Sequence, residues 1–539
     1  MRPVLLKNTL WSLFFLLVLS AGCVELEVTP TDQFTDETYW TSPEKAASLL
    51  NMAYRQMNNP GWVFRDERLS DNLYNGYGND NVRVVSNGQA NATNTLFNDV
   101  WKDCYAGIKT THTFLENIDR VPMDEELSER MKAEARFIRA FLYFQLTNWY
   151  GDIPFFTKDI DLPIAKSISR TPQDDIVFWI HQELEEIAEI LPAKEEYAEE
   201  DRGRITSGAA VAFNARVALN FNEYPLVKEY AGKLVNITEY GAYSLFPDYE
   251  GLFHKANEYN DEIILDIQFV PEDLTWGEIS TYVPFSLPNV QYTLACPTQD
   301  LVDSYLMKDG SAWDETKDVY DDRDPRMDMT IIHHNSTITQ KDGTTYVVNV
   351  DPNDPDNDTN DRIGRENGTQ TGYFYRKYYD SSSEAWTVGS WDCNINFVAL
   401  RYADVLLMYA EAMNELGEMD AAVWDKTIKA LRQRAGFDNT SLAMDMPSGG
   451  KEALRTVIRN ERRVELALEG TRIYDIRRWE TAEIVLNEPY RGAKFDMSSG
   501  TLDYYRYDNG SFNENRDYLW AIPAEQRTIN PTLGQNPGY

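Results

Sequence analysis

Residues 451–479 read KEALRTVIRNERRVELALEGTRIYDIRRW, a run that interleaves charge and apolarity in a way few local structures can accommodate. At 100° per residue, Leu454, Val457, Ile458, Val464 and Leu468 fall in one apolar sector, the pattern of an amphipathic helix. Glu461 and Glu465 fall in the middle of that sector. A carboxylate there loses hydration, so each needs a guanidinium or several donors beside it. Arg459, Arg462, Arg463, Arg472, Arg477 and Arg478 offer them, and Asp475 stands three residues from both Arg472 and Arg478. The reading is a helix docked by a buried ionic network of Glu461, Arg462, Glu465, Arg472, Asp475 and Arg478. Two carboxylates one turn apart could instead be the acid and base of a glycosidase. A catalytic pair needs a cleft, whereas these two share their face with Leu and Val, so the structural reading is preferred.

The stretch RNERRVELALEGTRIYDIRRW (459–479), with YLWAIPAEQRTINPTLGQNPGY at 518–539, resembles the C-terminal signature of the SusD-like (SusD/RagB) outer-membrane nutrient-binding lipoproteins. Three further stretches resemble the same family in the same order: AEARFIRAFLYFQLTNWYGDIPFF (133–156), TSGAAVAFNARVALNF (206–221) and FVALRYADVLLMYAEAMNELG (397–417). The resemblance implies a mainly α fold, a tetratricopeptide-like scaffold of helical pairs with a large irregular insert containing short β-strands. It further implies a cell-surface lipoprotein, not an enzyme, that captures an oligosaccharide and hands it to a SusC-like TonB-dependent transporter of the outer membrane. A broad helical face is expected to make the transporter contact.

Composition is consistent with this and excludes other classes. The 87 Asp and Glu against 51 Lys and Arg give a formal charge of −36, a field that repels phosphate backbones and argues against nucleic acid. The 32 Tyr, 23 Phe and 13 Trp exceed what a core needs and suit stacking on flat apolar ligand faces, sugars included. Residues 1–22 read as a lipoprotein signal peptide: Arg2 and Lys7, an apolar run over 10–19, then Ser20-Ala21-Gly22 before Cys23, the expected lipidated residue. Residues 23–40 read as a tether and 41–539 as one domain. The remaining Cys104, Cys296 and Cys393 form no disulfide framework and no zinc motif; Cys104 reads as core, and pairing of Cys296 with Cys393 stays open.

Helical periodicity marks the scaffold at about 41–57, 95–245 and 397–480. The ligand-binding portion is expected over 62–92 and 270–396, followed by a tail at 481–539. Residues 62–92 are rich in Asn, Asp, Gly and Tyr and read as a long irregular loop, more often functional than idle. Asn72, Tyr74, Tyr77 and Asp80 supply amides, acid and rings of the kind a sugar site uses. Residues 262–269 (EIILDIQF) alternate like a strand, and the insert that follows carries Trp276, Trp313, Trp386 and Trp391 as candidate stacking rings.

Enzyme signatures are sparse: the five histidines form no HExxH, and no GxSxG, P-loop or GxGxxG is present. One metal candidate exists, Asp354, Asp356, Asp358 and Asn360 at alternate positions, resembling the ligand spacing of a calcium loop. The glycine and closing glutamate of an EF-hand are missing, so a solvated acidic loop is the preferred reading, with no other cofactor expected.

Overall fold

A computed structural model describes residues 39–539 except 58, 79, 288–289, 291, 341, 381–392 and 497–501. The architecture is mainly helical, with short two-stranded antiparallel sheets. The helices are α1 (Pro43–Met57), α2 (Pro60–Arg68), α3 (Asn81–Ser86), α4 (Thr95–Asn117), α5 (Glu125–Tyr150), α6 (Gln173–Ala188), α7 (Ser207–Asn220), α8 (Tyr224–Asn236), α9 (Tyr402–Glu415), α10 (Ala421–Lys426), α11 (Ile428–Ala435), α12 (Gly450–Glu465) and α13 (Arg472–Arg478), with shorter turns between them. Side chains supply the starts: Asn94 accepts from the Leu96 N–H to cap α4, Asp124 caps α5 and Thr206 caps α7. Each helix packs on the next in a continuous array, α1 on α4 and α5, α5 on α6, α6 on α7, α7 on α8, α8 on α9 and α9 on α12. The late helices return onto the early ones through α13, which packs on α2 and α7.

Three expectations need correction. Residues 62–92 are not one long loop: Asn59 caps α2 with Pro60 at its first position, and Asp80 caps α3. The polarity that reads as a loop belongs to buried charges: Arg65 and Arg68 pair nearby with Asp66 and Asp80, while Asp66, Glu67 and Asp71 meet Tyr474, Gly470 and Arg472 some 400 positions away. Second, 397–401 is a strand before α9 begins. β2 (Ile263–Ile267) pairs antiparallel with β4 (Phe397–Arg401), fastening the insert to the array. Third, the helical stretch expected over 397–480 is interrupted, among other places, at Thr427, which separates α10 from α11. The 481–539 tail is also structured, chiefly by a hairpin of β5 (Pro489–Asp496) and β6 (Leu502–Asn509).

Helix α12 lies between two cores. Leu454 and Ile458 pack with Leu406, Leu407 and Trp424 on the helical side, while Val464 and Leu468 pack into the insert core with Phe64, Trp276, Tyr375 and Phe397. One helix face therefore joins both halves of the molecule. Cys104, Cys296 and Cys393 are buried free thiols, so the open pairing of Cys296 with Cys393 is not made.

Candidate functional site

The acids of α12 are saturated. Glu461 meets Arg326 at 2.7 Å and Arg432 at 2.8 Å; Glu465 meets Arg326 at 2.8 Å, Arg401 at 2.7 Å and Arg434. Both are almost wholly buried. Burial alone would raise their pKa values, but the guanidiniums outweigh it and hold Glu461 below, and Glu465 well below, the usual carboxylate range. Neither can release or take a proton near neutrality, and neither faces a cleft, so the glycosidase alternative fails on geometry. Arg462 bridges Asp475 at 2.8 Å and Asp404 at 2.5 Å, and Arg478 joins Asp475 at 2.8 Å to Glu411 at 2.6 Å. Arg472 departs from the expected local pairing with Asp475. It reaches across to Asp71 at 2.8 Å, which Arg463 also meets at 2.9 Å.

This network reaches two of the candidate binding residues. Asn72 is fully buried, its amide oxygen accepting from Arg463 Nε at 3.0 Å and its amide nitrogen donating to Glu67 at 2.7 Å. Asp80 caps α3 and pairs with Arg68 at 2.6 Å. Both therefore hold the 70–80 segment in place; Asn72 is too buried to meet a ligand hydroxyl, whereas the Asp80 side chain keeps 40% exposure.

What they hold is the position of Tyr77. β1 (Leu73–Tyr74) pairs antiparallel with β3 (Cys296–Pro297), bringing together two loops more than two hundred residues apart. The Tyr77 N–H donates to Leu294 O at 3.3 Å, and the Tyr77 ring stacks on Tyr292 with centroids 4.7 Å apart and planes 20° from parallel. Tyr77 remains 39% exposed, so the pair stands at the surface. Tyr74 is half-buried against Tyr490, 5.6 Å between centroids. Gly76 permits the close approach beside it, since a Cβ there would stand 2.3 Å from Gln370 Cγ.

Trp276 and Trp313, the two described candidate tryptophans, do not share a surface. Trp276 is a core ring, 5% exposed, packed on Phe64, Phe269, Tyr378 and Phe397 with its Nε1 donating to Ile395 O at 2.8 Å. Apolar neighbours bury most of this indole and its one polar atom is satisfied, so little of the ring face is left for stacking. Trp313 is half-buried on a separate loop under the Arg323 guanidinium, 5.0 Å from the ring centroid. Trp386 and Trp391 lie outside the described residues, as does Cys23. Tyr292 was missed because only the β1–β3 pairing reveals its partner.

The acidic run does not assemble a cation site. Asp354 spends its oxygens on Asn349 Nδ2 at 2.7 Å and the Asp356 N–H at 3.0 Å. No group of three His, Cys, Asp or Glu able to hold a metal occurs among the described residues, Asp354, Asp356, Asp358 and Asn360 included.

Residues 261–539 match the family described as the SusD family, more than half of the chain. The chain belongs to the SusD family. Residues 26–219 match a second, related description, SusD-like, "starch-binding associating with outer membrane". A curated SusD-like protein of Formosa agariphila, P2, is 26% identical over 97% of this chain and 98% of its own. A crystal structure of a SusD-like carbohydrate-binding protein from Bacteroides fragilis covers 92% of this chain and 100% of its own at 28% identity, with a TM-score of 0.81. A laminarin-binding SusD-like protein at 22% identity covers 93% of this chain and 100% of its own with a TM-score of 0.70, a shared fold. SusD-like proteins are non-catalytic glycan binders, in keeping with the sealed carboxylates of α12.

Proposed function

We propose that this SusD-like chain is a surface lipoprotein, anchored through Cys23, that captures an oligosaccharide on the Tyr77–Tyr292 face and passes it to a SusC-like TonB-dependent transporter. The observation that carries the reading is the exposed, pre-stacked tyrosine pair, held by a β ladder and a buried ionic network. Two fixed rings present a flat apolar face to a sugar without ordering cost at binding. The resemblance of the chain to a carbohydrate-binding relative at 28% identity, and its match to an outer-membrane description, support the class of ligand and the location. Trp313 remains a candidate for a further contact, as do Trp386 and Trp391. Among the described residues no helix is long and apolar enough to cross a membrane.

Calorimetry against a panel of plant, algal and storage oligosaccharides tests the reading. The parent protein binds at least one of them, and Tyr77→Ala with Tyr292→Ala weakens that binding at least tenfold, about 1.4 kcal/mol. Unchanged affinity in the double variant would remove the face from the mechanism. Cys23→Ser should leave the protein out of the membrane fraction; retention there would refute the anchor.

A further inference from the structure

A cleft of about 760 Å³ opens between α1 and the 266–278 segment of the insert, a volume in the range of small-molecule sites. Its apolar floor comes from Phe269 and Trp276, and its polar rim includes Asn51, Arg55, Asp266 and Gln268. The floor is rigid. Asp266 sits on β2 opposite Val398 of β4, Asn396 donates to its Oδ2 at 3.0 Å, and the Phe269 N–H donates to Asn396 Oδ1 at 3.1 Å. Trp276 exchanges backbone hydrogen bonds with Cys393 at 2.9 and 2.7 Å. Gln268 is held by donation to Arg202 O at 2.8 Å and by the close approach of Gly203, where a Cβ would overlap its amide.

Two features of this cleft point to a ligand. Asp266 is 7% exposed and lines the cleft, yet among the described residues no side chain other than Asn396 donates to it, so a buried carboxyl has acceptor capacity left over. Burial raises its pKa to about 7, against the Asn396 hydrogen bond, which lets it both accept from and donate to a hydroxyl. The second feature is charge. In a chain of formal charge −36 the cleft is lined by three arginines, Arg55, Arg202 and Arg204, and three acids, Glu200, Asp266 and Glu278. Such a balance disfavours an anionic or cationic ligand and suits a neutral polyhydroxylated one.

We infer that this cleft is a second saccharide subsite, distinct from the Tyr77–Tyr292 face, taking a short neutral oligosaccharide whose hydroxyls are read by Asp266, Gln268 and Asn51. The inference rests on the glycan-binding reading above and adds a place. The two places are connected through the insert: Glu278 lines the cleft, and three residues on, Thr281 O accepts from the N–H of Leu294, whose own carbonyl accepts from Tyr77.

Calorimetric stoichiometry with neutral tri- and tetrasaccharides of α-glucan, β-glucan, xylan and mannan tests it on the full protein. Asn51→Trp fills the cleft from an exposed position on α1, where folding is not at stake. Asp266→Asn keeps an acceptor for Asn396 while changing what the ligand meets. The parent is expected to bind two molecules. Each cleft variant should weaken one of them at least tenfold, and Tyr77→Ala with Tyr292→Ala should weaken only the other. One molecule per parent chain, unaffected by Asn51→Trp and lost in the tyrosine variant, overturns the second subsite and leaves the face standing. One molecule lost in both cleft variants but kept in the tyrosine variant supports the cleft and refutes the face. No binding by the parent at all refutes both.

Discussion

Glu465 accepts from three guanidiniums at once, and each of those arginines also serves another acid: Arg326 serves Asp324 and Glu461, Arg401 serves Glu262 and Glu469, and Arg434 serves Glu262. Removing the carboxylate strands charge where water does not reach, and breaking a buried pair in this way costs about 3–5 kcal/mol. Glu465→Ala is therefore expected to lower the unfolding free energy by that amount at pH 7, read from urea melts followed by far-ultraviolet circular dichroism. A loss below 1 kcal/mol would mean that the network relaxes around the gap. The Glu461 and Glu465 positions were legible because an acid inside an apolar helical sector has few ways to be satisfied. Their partners were less so: Arg326, Arg401 and Arg432 lie outside the 451–479 run, and nothing in one sequence marks which arginine will arrive. The same limit hid Tyr292. Composition identifies aromatic rings but not which of them a ladder between residues 73 and 297 will set face to face.

The junction of α2 with the turn after α12 shows how elements are fastened. Gly470 has a φ of +73°, and a Cβ there would stand 2.9 Å from Val63 Cγ1 and from Val63 O. Its N–H donates to Glu67 Oε2 at 2.8 Å, and that of Leu468 donates to Glu67 Oε1 at 3.3 Å. Gly470→Ala meets both the left-handed backbone penalty and the contact with α2, so a loss of about 1–3 kcal/mol is expected in the same melts. An unchanged midpoint would show that α2 is free to shift. At this scale the long helices were the most legible parts, since their 3.6-residue period is sustained over several turns. The short ones were not. α2 carries acids whose burial depends on the turn after α12 and on α13, α3 is under two turns long, and β4 carries FVALR, an apolar run that periodicity alone cannot tell from the first turn of a helix.

For the whole molecule the acids fall into two opposed sets. Arginines hold Glu411, Glu461 and Glu465, along with Asp71 and Asp404, below their ordinary values against burial. Their contribution is complete above the unfolded values of 4.5 and 3.8 and is lost as pH falls through the lower folded values. Burial pushes Glu67 and Asp266 up to about 7, and Asp66, Glu134, Asp324 and Asp361 move the same way. For this set the folded chain keeps protons the unfolded chain has released, so stability falls as pH rises from about 4 to 7 and then levels. The shifts of Glu67 and Asp266 are each on the order of 3–4 kcal/mol at 1.36 kcal/mol per unit. Maximum stability is expected at about pH 5, with a decline to pH 7.5 that Glu67→Gln reduces. A profile rising steadily from pH 5 to 8 would contradict this balance.

The bonds that span the molecule also set an order of events in time. Glu67 and Asp71 find Gly470 and Arg472 some 400 positions later, while Asn536 donates to Tyr150 O and Trp520 N–H to Trp149 O. At about 5–20 residues per second, synthesis separates Asp71 from Arg472 by on the order of 20–80 s. Throughout that interval Glu67 and Asp71 lack the late N–H groups and guanidinium that satisfy them, and the face of α2 that meets Gly470 has nothing to cover it. The seam between α2 and the last helices therefore closes only after residue 472 has been made, whereas the early helices have their neighbours at hand as they emerge.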